Sequence, residues 1–381
     1  MPYVRLALLP LLLTLTGCAA TAQPAAPPPF DAAESLAKCH AVARWQLDFE
    51  IDSTRWNQGR KWDWVYGAFY PGLMDFYELT GEEDYHNAML AMGVENNWEV
   101  RPRPYDANDW AIIQTYADLY DVNGRDNPEM LDKARYFAEM IFLRRLPVDV
   151  RFKDNVYWQD WWSWCDALFM APPALTRLSK VLGDPKYNDY MSEHWWITSD
   201  YLFSPADSLY YRDDTFFDQR SDNGAPIFWS RGNGWVIGGL AMVLDDLPAD
   251  YPTRPRFEEQ FTTMMRRIAD LQQPNGGWPS SLLDPEHYTS KETSGTAFFC
   301  YGLAWGINRG LLDRAEYAPH ALAAWNMLLN SVHPDGMLGY VQQIGDSPAD
   351  VSADDAQAYG SGAFLMAGAE MLRLHGMTAK R

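Results

Sequence analysis

The sequence predicts an all-α protein whose fold is a single (α/α)6 barrel of about six helical hairpins. Three observations predict this fold. Apolar residues recur at helical spacing along most of the chain, long alternating runs typical of β-strands are missing, and one helix–turn–helix junction has a counterpart later in the sequence.

Helical periodicity is clearest over residues 108–121, where Ile112, Ile113, Tyr116 and Leu119 fall on one face. Comparable apolar stripes predict about twelve helices in all, over residues 34–50, 66–79, 84–98, 108–121, 129–145, 166–182, 186–202, 233–247, 254–273, 294–309, 316–331 and 360–374.

The two related junctions are LTGEEDY, at residues 79–85, and LGDPKY, at residues 182–187. Each ends one helix with glycine and begins the next with an acidic residue. Stacked hairpins of this kind form either an open solenoid or a closed barrel. We favour the barrel because short turns alternate with long loops rich in aromatic residues and glycine, and long loops gathered at one end predict a functional mouth. These loops are residues 148–165, 203–231, 274–293 and 334–360.

Composition restricts the classes of partner. The 381 residues are 47% hydrophobic, which is ample for a large core, and the formal net charge is −20. This charge argues against a surface that binds nucleic acid or an anionic membrane. An anionic ligand must therefore meet a local cluster of cations.

The N-terminus resembles a lipoprotein signal. Arg5 precedes an apolar run at residues 6–15 that is too short to span a membrane, and the sequence LTGC then ends at Cys18. This sequence resembles a bacterial lipobox, which implies cleavage before Cys18 and attachment of a lipid to its sulfur. The alternative is an ordinary secretory peptide with a chance cysteine. We expect a signal peptide at 1–17, a lipidated Pro/Ala-rich tether at 18–30 and one domain at 31–381, held by its lipid in the bacterial cell envelope (periplasm or cell surface).

The remaining cysteines are Cys39, Cys165 and Cys300, an odd and widely spaced set that predicts no disulfide framework. The seven histidines show none of the spacings typical of metal sites, and the chain has neither a GxSxG elbow nor a dinucleotide fingerprint. We therefore expect no metal and no cofactor.

The segment WQDWWSWCDALFM concentrates Trp158, Trp161, Trp162 and Trp164 before a single carboxylate, Asp166. Indole faces stack on sugar rings, and burial raises the pKa of a carboxyl, so Asp166 is a candidate acid. The alternative is that the tryptophans belong to the core and Asp166 caps a helix.

The segment SRGNGW places Arg231 and Trp235 four residues apart at a helix start, where they can share a face. Arginine offers a fork suited to a sugar carboxylate, and tryptophan offers a stacking surface. The alternative is an ordinary loop-to-helix turn. Farther along, Glu292 or Ser294 is expected to cap the next helix, with Lys291 the alternative residue that reaches a site.

Three further residues have a functional and a structural alternative. Trp64 either provides a stacking surface for a sugar ring or packs against the following helix. Asp109 is either a helix cap or a second active-site carboxylate. Arg212 binds an anionic substrate or pairs with Asp213 or Asp214.

Four motifs in order, WCD followed by ALFMAPPAL, then SRGNGW, ETSGTA and YGSGAFLMAG, resemble the unsaturated rhamnogalacturonyl hydrolases. This is glycoside hydrolase family 105, which is related to the unsaturated glucuronyl hydrolases. The resemblance covers nearly the whole chain after the tether. It implies an (α/α)6 barrel that removes a 4,5-unsaturated uronic acid from the non-reducing end of oligosaccharides made by polysaccharide lyases.

The resemblance also implies site residues. Asp166 matches the family's catalytic acid/base, and Trp164 matches the aromatic residue just before it. Arg231 and Trp235 match the pair that contacts the uronate, and Asp109 looks like the second carboxylate.

Trp64 matches an aromatic residue near the family's pocket. Arg212 stands where some members have histidine, and an arginine adds positive charge without accepting a hydrogen bond. The exchange indicates an additional carboxylate or sulfate on the substrate, or a differently linked unsaturated glucuronate.

The implied chemistry needs one acid that then acts as a base, because an unsaturated uronate is an enol ether that is protonated at C4 and hydrated at C5. Two alternatives stay open. One is a conventional inverting glycosidase or a lyase on the same barrel, and the other is a non-catalytic lipoprotein that only binds glycans.

Overall fold

The computed structural model describes residues 29–48, 63–144 and 146–379. Its helices are α1 (Ala32–Asp48), α2 (Trp64–Gly67), α3 (Tyr70–Thr80), α4 (Glu83–Glu95), α5 (Ala111–Val122), α6 (Glu129–Leu143), α7 (Ala167–Met170), α8 (Pro172–Leu182), α9 (Lys186–Leu202), α10 (Ser230–Asp246), α11 (Arg254–Asp270), α12 (Thr293–Asn308), α13 (Arg314–Leu329) and α14 (Ala358–Leu374). Two strands of two residues each, β1 (Phe203–Ser204) and β2 (Leu209–Tyr210), pair antiparallel and form the one sheet in these residues.

The helices form two concentric layers. Contacts close the inner ring in the order α3, α5, α8, α10, α12, α14 and back to α3. Each inner helix also packs against an outer one: α4 on α3, α6 on α5, α9 on α8, α11 on α10, α13 on α12 and α1 on α14. This alternation of outer and inner helices along the chain is an (α/α)6 barrel, so the predicted fold is confirmed.

Prolines divide two of the predicted helices. Pro71 and Pro172 lie in the first turn of α3 and α8, respectively, and each separates its helix from the short helix before it. A proline has no N–H to donate to the preceding turn, so the hydrogen-bond ladder is interrupted there. Both short helices, α2 and α7, lie at the mouth of the barrel, where they carry residues of the site described below.

Glycines allow the first and last inner helices to touch. A Cβ on Gly72 of α3 would lie 2.1 Å from the carbonyl oxygen of Gly362 on α14, and a Cβ on Gly362 would lie 2.3 Å from the carbonyl oxygen of Ala68. These approaches exclude any side chain at either position. The ring closes at this contact.

Aromatic side chains fill the interior beneath the mouth. The ring centroid of Trp235 lies 4.6 Å from that of Phe169 and 4.7 Å from that of Phe298, and all three side chains are buried. At the opposite end, the C-terminal ends of the inner helices line a charged cavity of about 350 Å³, across which three ion pairs form between different helices: Asp75–Arg373, Asp118–Arg177 and Asp245–Arg309.

Cys39, Cys165 and Cys300 are free thiols within the core. None of the helices described is long and apolar enough to cross a membrane. Cys18 and the predicted signal peptide lie outside the described residues, as does almost all of the tether.

Candidate active site

A cavity of about 550 Å³ opens at the mouth of the barrel, where the inner helices begin. Its lining joins residues from the first three inner hairpins with three of the long loops, 148–165, 203–231 and 334–360. The lining residues are Trp64, Arg101, Arg103, Asn108, Phe152, Trp158, Gln159, Trp164, Asp166, Met170, Arg212, Ile344, Gly345 and Asp346.

Asp166 lies immediately before α7 and points its carboxyl into this cavity. It occupies the cap position of the helix, but its side chain accepts no capping hydrogen bond. The side chain is 13% exposed, and the thiol of Cys165 donates to Oδ2 over 3.5 Å. Burial raises the pKa of Asp166, while the positive charges of Arg212 and Arg231 oppose that rise. The carboxyl therefore holds a proton at a higher pH than an exposed aspartate does.

Arg212 forms the wall beside Asp166. Its Nη1 donates to Asp213 Oδ2 over 2.6 Å, and its guanidinium lies over the ring of Phe152 at 4.7 Å. Its Nε lies 3.9 Å from Asp166 Oδ2 and is a buried donor with no hydrogen-bond partner. The predicted pairing with Asp213 is present, and the Nε N–H faces Asp166 without a hydrogen bond.

Three tryptophans line the cavity. Trp64 and Trp164 do so as the sequence predicted, and Trp158 joins them by packing edge-to-face on Trp164 at 5.2 Å. Trp161 and Trp162 are buried; Trp161 stacks on His194, and Trp162 contacts the same ring at a tilt of 59°. The tryptophan-rich segment thus divides between cavity wall and core.

Arg231 is not on the cavity surface. It is 2% exposed and donates to the carbonyl oxygens of Gln342 at 2.6 Å and Gln343 at 3.1 Å. Its guanidinium also lies 4.4 Å from the ring of Trp229 and 4.9 Å from that of Tyr359. The sequence suggested that the Arg231 guanidinium binds a carboxylate. In the structure, the guanidinium instead holds the loop that places Ile344, Gly345 and Asp346 in the cavity wall.

Trp235 belongs to the aromatic core below the cavity and does not line it. The sequence placed Arg231 and Trp235 together as substrate contacts. The structure instead puts both of them behind the wall, because the first turn of α10 is covered by the loop after α13. Direct contact of either residue with a substrate stays a prediction.

Asp109 stands behind Arg103. Its two carboxylate oxygens accept from Arg103 Nη2 at 2.6 Å and from Nε at 3.1 Å, and Arg103 also pairs with Asp106 at 2.7 Å. Burial raises the pKa of Asp109 and Arg103 opposes the rise. The carboxylate orients a cavity-lining arginine and does not itself line the cavity.

Sequence reasoning missed Arg101, Arg103 and Phe152. The first two lie in the segment RPRPYD, where cations alternate with prolines just before an inner helix, and that spacing was the available signal. Arg101 also pairs with the buried Asp63 at 3.3 Å. The expected helix cap is confirmed at Glu292, whose carboxylate accepts from the backbone N–H groups of Ser294 and Gly295.

No group of histidine, cysteine, aspartate or glutamate side chains in the described residues is arranged to hold a metal ion.

Residues 39–375 match the family model described as Glycosyl Hydrolase Family 88. The chain belongs to this family. It is 40% identical over 330 residues to an unsaturated 3S-rhamnoglycuronyl hydrolase of Formosa agariphila, covering 82% of this chain and 85% of that one. It is also 36% identical over 363 residues to a protein of the same name from Alteromonas sp., covering 90% and 87% of the two chains. A solved structure of a glycosyl hydrolase family 88 protein from Bacteroides vulgatus superposes with a TM-score of 0.79 at 30% identity, covering 91% of this chain and all of that one.

This family 88 chain is therefore a glycoside hydrolase. Its predicted relationship to the unsaturated uronyl hydrolases is confirmed.

Proposed function

We propose that Asp166 is the acid/base with which this hydrolase removes a 4,5-unsaturated uronic acid from the non-reducing end of lyase-made oligosaccharides. The observation that carries the proposal is the pairing of a poorly exposed carboxyl with the unpartnered Nε of Arg212 on one cavity wall. A buried carboxyl with a raised pKa can donate a proton, and a free cationic N–H can hold a uronate carboxylate beside it.

The reaction is a hydration. Asp166 gives its proton to C4 of the enol ether, which places positive charge on C5 and the ring oxygen. The carboxylate then takes a proton from water as the water oxygen bonds to C5. The hemiketal collapses and releases the aglycone. One residue serves as acid and then as base, so no second carboxylate is required across the glycosidic bond.

The other cavity residues position the substrate in this proposal. Trp64, Trp158 and Trp164 provide stacking surfaces for sugar rings, and Arg212 neutralises the uronate. Asp109 acts through Arg103, which it holds in place. Direct contacts of Arg231 and Trp235 with the sugar would require the loop at residues 342–345 to move.

We infer a rhamnoglycuronyl substrate from the names of the two similar hydrolases. Arg101 and Arg103 also line the cavity, where Asp63 and Asp109, respectively, hold their guanidinium groups. This arrangement suits an acidic aglycone, carrying either sulfate or carboxylate.

The test follows the ultraviolet absorbance of the C4=C5 bond on lyase fragments of ulvan, pectin, arabinogalactan and glycosaminoglycan. Loss of absorbance supports hydration. A rise supports a lyase, and no change supports a binding protein or a glycosidase of saturated sugars. Asp166→Asn should abolish turnover and leave binding largely intact, whereas the exposed Asp154→Asn in the preceding loop serves as the matched control. Near-normal rates for Asp166→Asn would remove it from the mechanism.

We propose separately that Cys18 is lipidated and anchors the protein in the bacterial cell envelope. The support is the apolar run that ends in LTGC. Cells fed a labelled fatty acid should label the wild-type protein and not the Cys18→Ala variant. Equal labelling, or a wild-type protein that stays in the aqueous phase on detergent partition, would contradict the anchor.

A further inference from the structure

The outer face of α6 is apolar and exposed to solvent. Tyr136 is 72% exposed, Met140 36% and Leu143 83%. They follow one another at steps of four and three residues, so they form one stripe along the helix. Among the described residues, every other exposed large hydrophobic side chain except Val94 lies in the segment that follows α6, at residues 148–157.

Charges flank this stripe asymmetrically. Asp132 lies four residues before Tyr136 on the same face, and Arg144 follows Leu143 at the helix end. Both side chains are exposed, and neither forms an ion pair with another described residue. The neighbouring Lys133 does have partners, because it donates to Asn97 and pairs with Glu99. Within the described part of the chain, the stripe thus has an anion without an ion pair at one end and a cation without one at the other.

We propose that this face is the interface of a homodimer in which α6 packs antiparallel against α6 of a second copy. A twofold axis beside residue 138 places Tyr136 opposite Met140 of the other copy. The same register brings Asp132 opposite Arg144, and the pair occurs twice because the interface is isologous. Antiparallel pairing also sets the positive end of each helix dipole beside the negative end of its neighbour.

A second copy fits this face better than a membrane does. A lipid surface favours cations along the border of an apolar stripe, whereas this stripe has Glu129 and Asp132 at one end. The exposed side chains of the segment after α6 extend the apolar area at the C-terminal end, and Val94 on the neighbouring outer helix extends it near Lys133. Large exposed apolar patches of this kind mark interaction sites.

The experiment exploits the reciprocity of the charge pair. Sedimentation of the purified protein, in detergent micelles if lipid is attached, should show a dimer whose population grows with concentration. Asp132→Arg alone and Arg144→Asp alone should each weaken association by about tenfold or more, because each places like charges opposite each other twice. An equimolar mixture of the two variants should dimerise again, since the heterodimer restores both pairs, and so should the double variant.

Tyr136→Glu should prevent association altogether by placing a carboxylate in the apolar stripe. Circular dichroism of each variant verifies that the barrel is folded. A wild-type monomer at every concentration would overturn the proposal, as would single variants that dimerise like the wild type or a mixture that fails to. A monomer that instead binds anionic lipid vesicles through Tyr136 would overturn it in favour of a membrane surface.

Discussion

Replacement of Arg231 by methionine tests the assignment of this residue to the loop at 342–345. Methionine keeps an unbranched apolar stem at this position but removes the guanidinium and its donors. The carbonyl oxygens of the buried Gln342 and the exposed Gln343 then lose charged donors at 2.6 and 3.1 Å. The Gln342 oxygen keeps a hydrogen bond from the Tyr359 hydroxyl, so the cost is that of the two lost charged hydrogen bonds, about 1.5–3 kcal/mol each. The lost contacts with Trp229 and Tyr359 add about 0.5–2 kcal/mol each.

We therefore expect Arg231→Met to lower the free energy of unfolding by about 4 kcal/mol, measured by urea denaturation. The loop carries Ile344, Gly345 and Asp346, so KM should also rise, by roughly tenfold or more, as the cavity wall loses its position. Arg220→Met is the matched control, because Arg220 also donates to two carbonyl oxygens but is exposed. Arg231→Met unfolding at the same urea concentration as Arg220→Met would refute the reasoning.

Two further predictions concern the acid and the closure of the ring. Arg212→Met should shift the alkaline limb of the kcat–pH profile to higher pH. The positive charge of Arg212 lowers the pKa of Asp166, so loss of that charge lets the protonated carboxyl persist to higher pH. A shift to lower pH would contradict Asp166 as the acid. Gly72→Ala should lower the free energy of unfolding by about 2–3 kcal/mol, since its Cβ would meet the Gly362 carbonyl oxygen at 2.1 Å, whereas Gly345→Ala, with its nearest neighbour at 3.7 Å, should have little effect. Equal unfolding midpoints for the two glycine variants would contradict the close contact of α3 and α14.

The fold was predictable because helical periodicity is a local property of the sequence. Ile112, Tyr116 and Leu119 report the buried face of α5 from spacing alone. The breaks at Pro71 and Pro172 were not predicted. Proline is tolerated in the first turn of a helix, and the apolar periodicity continues through both positions. The sequence pattern therefore predicted one helix at each place where the structure has two.

The site was predictable only in part, since its geometry depends on contacts between residues far apart in the chain. Asp166 was singled out by its tryptophan-rich surroundings and by the family resemblance. The burial of Arg231 was not visible, because the carbonyl oxygen it binds on Gln342 lies 111 positions away in a loop without a motif. Arg101 and Arg103 were missed for a similar reason, because they share a cavity with Asp166 only in the folded barrel.

The aromatic packing of Phe169, Trp235 and Phe298 has a consequence for how the enzyme meets its polymer. These buried rings fill the interior of the barrel beneath the cavity that Asp166 lines. A polysaccharide therefore cannot be threaded through the barrel, and a chain end that enters the cavity meets a closed floor. After each cleavage, the freed sugar leaves by the way it entered, and the shortened chain must withdraw before another end is seated. With the proposed hydration at Asp166, one sugar is removed per encounter, and the supply of substrate depends on how many fresh ends an upstream lyase creates.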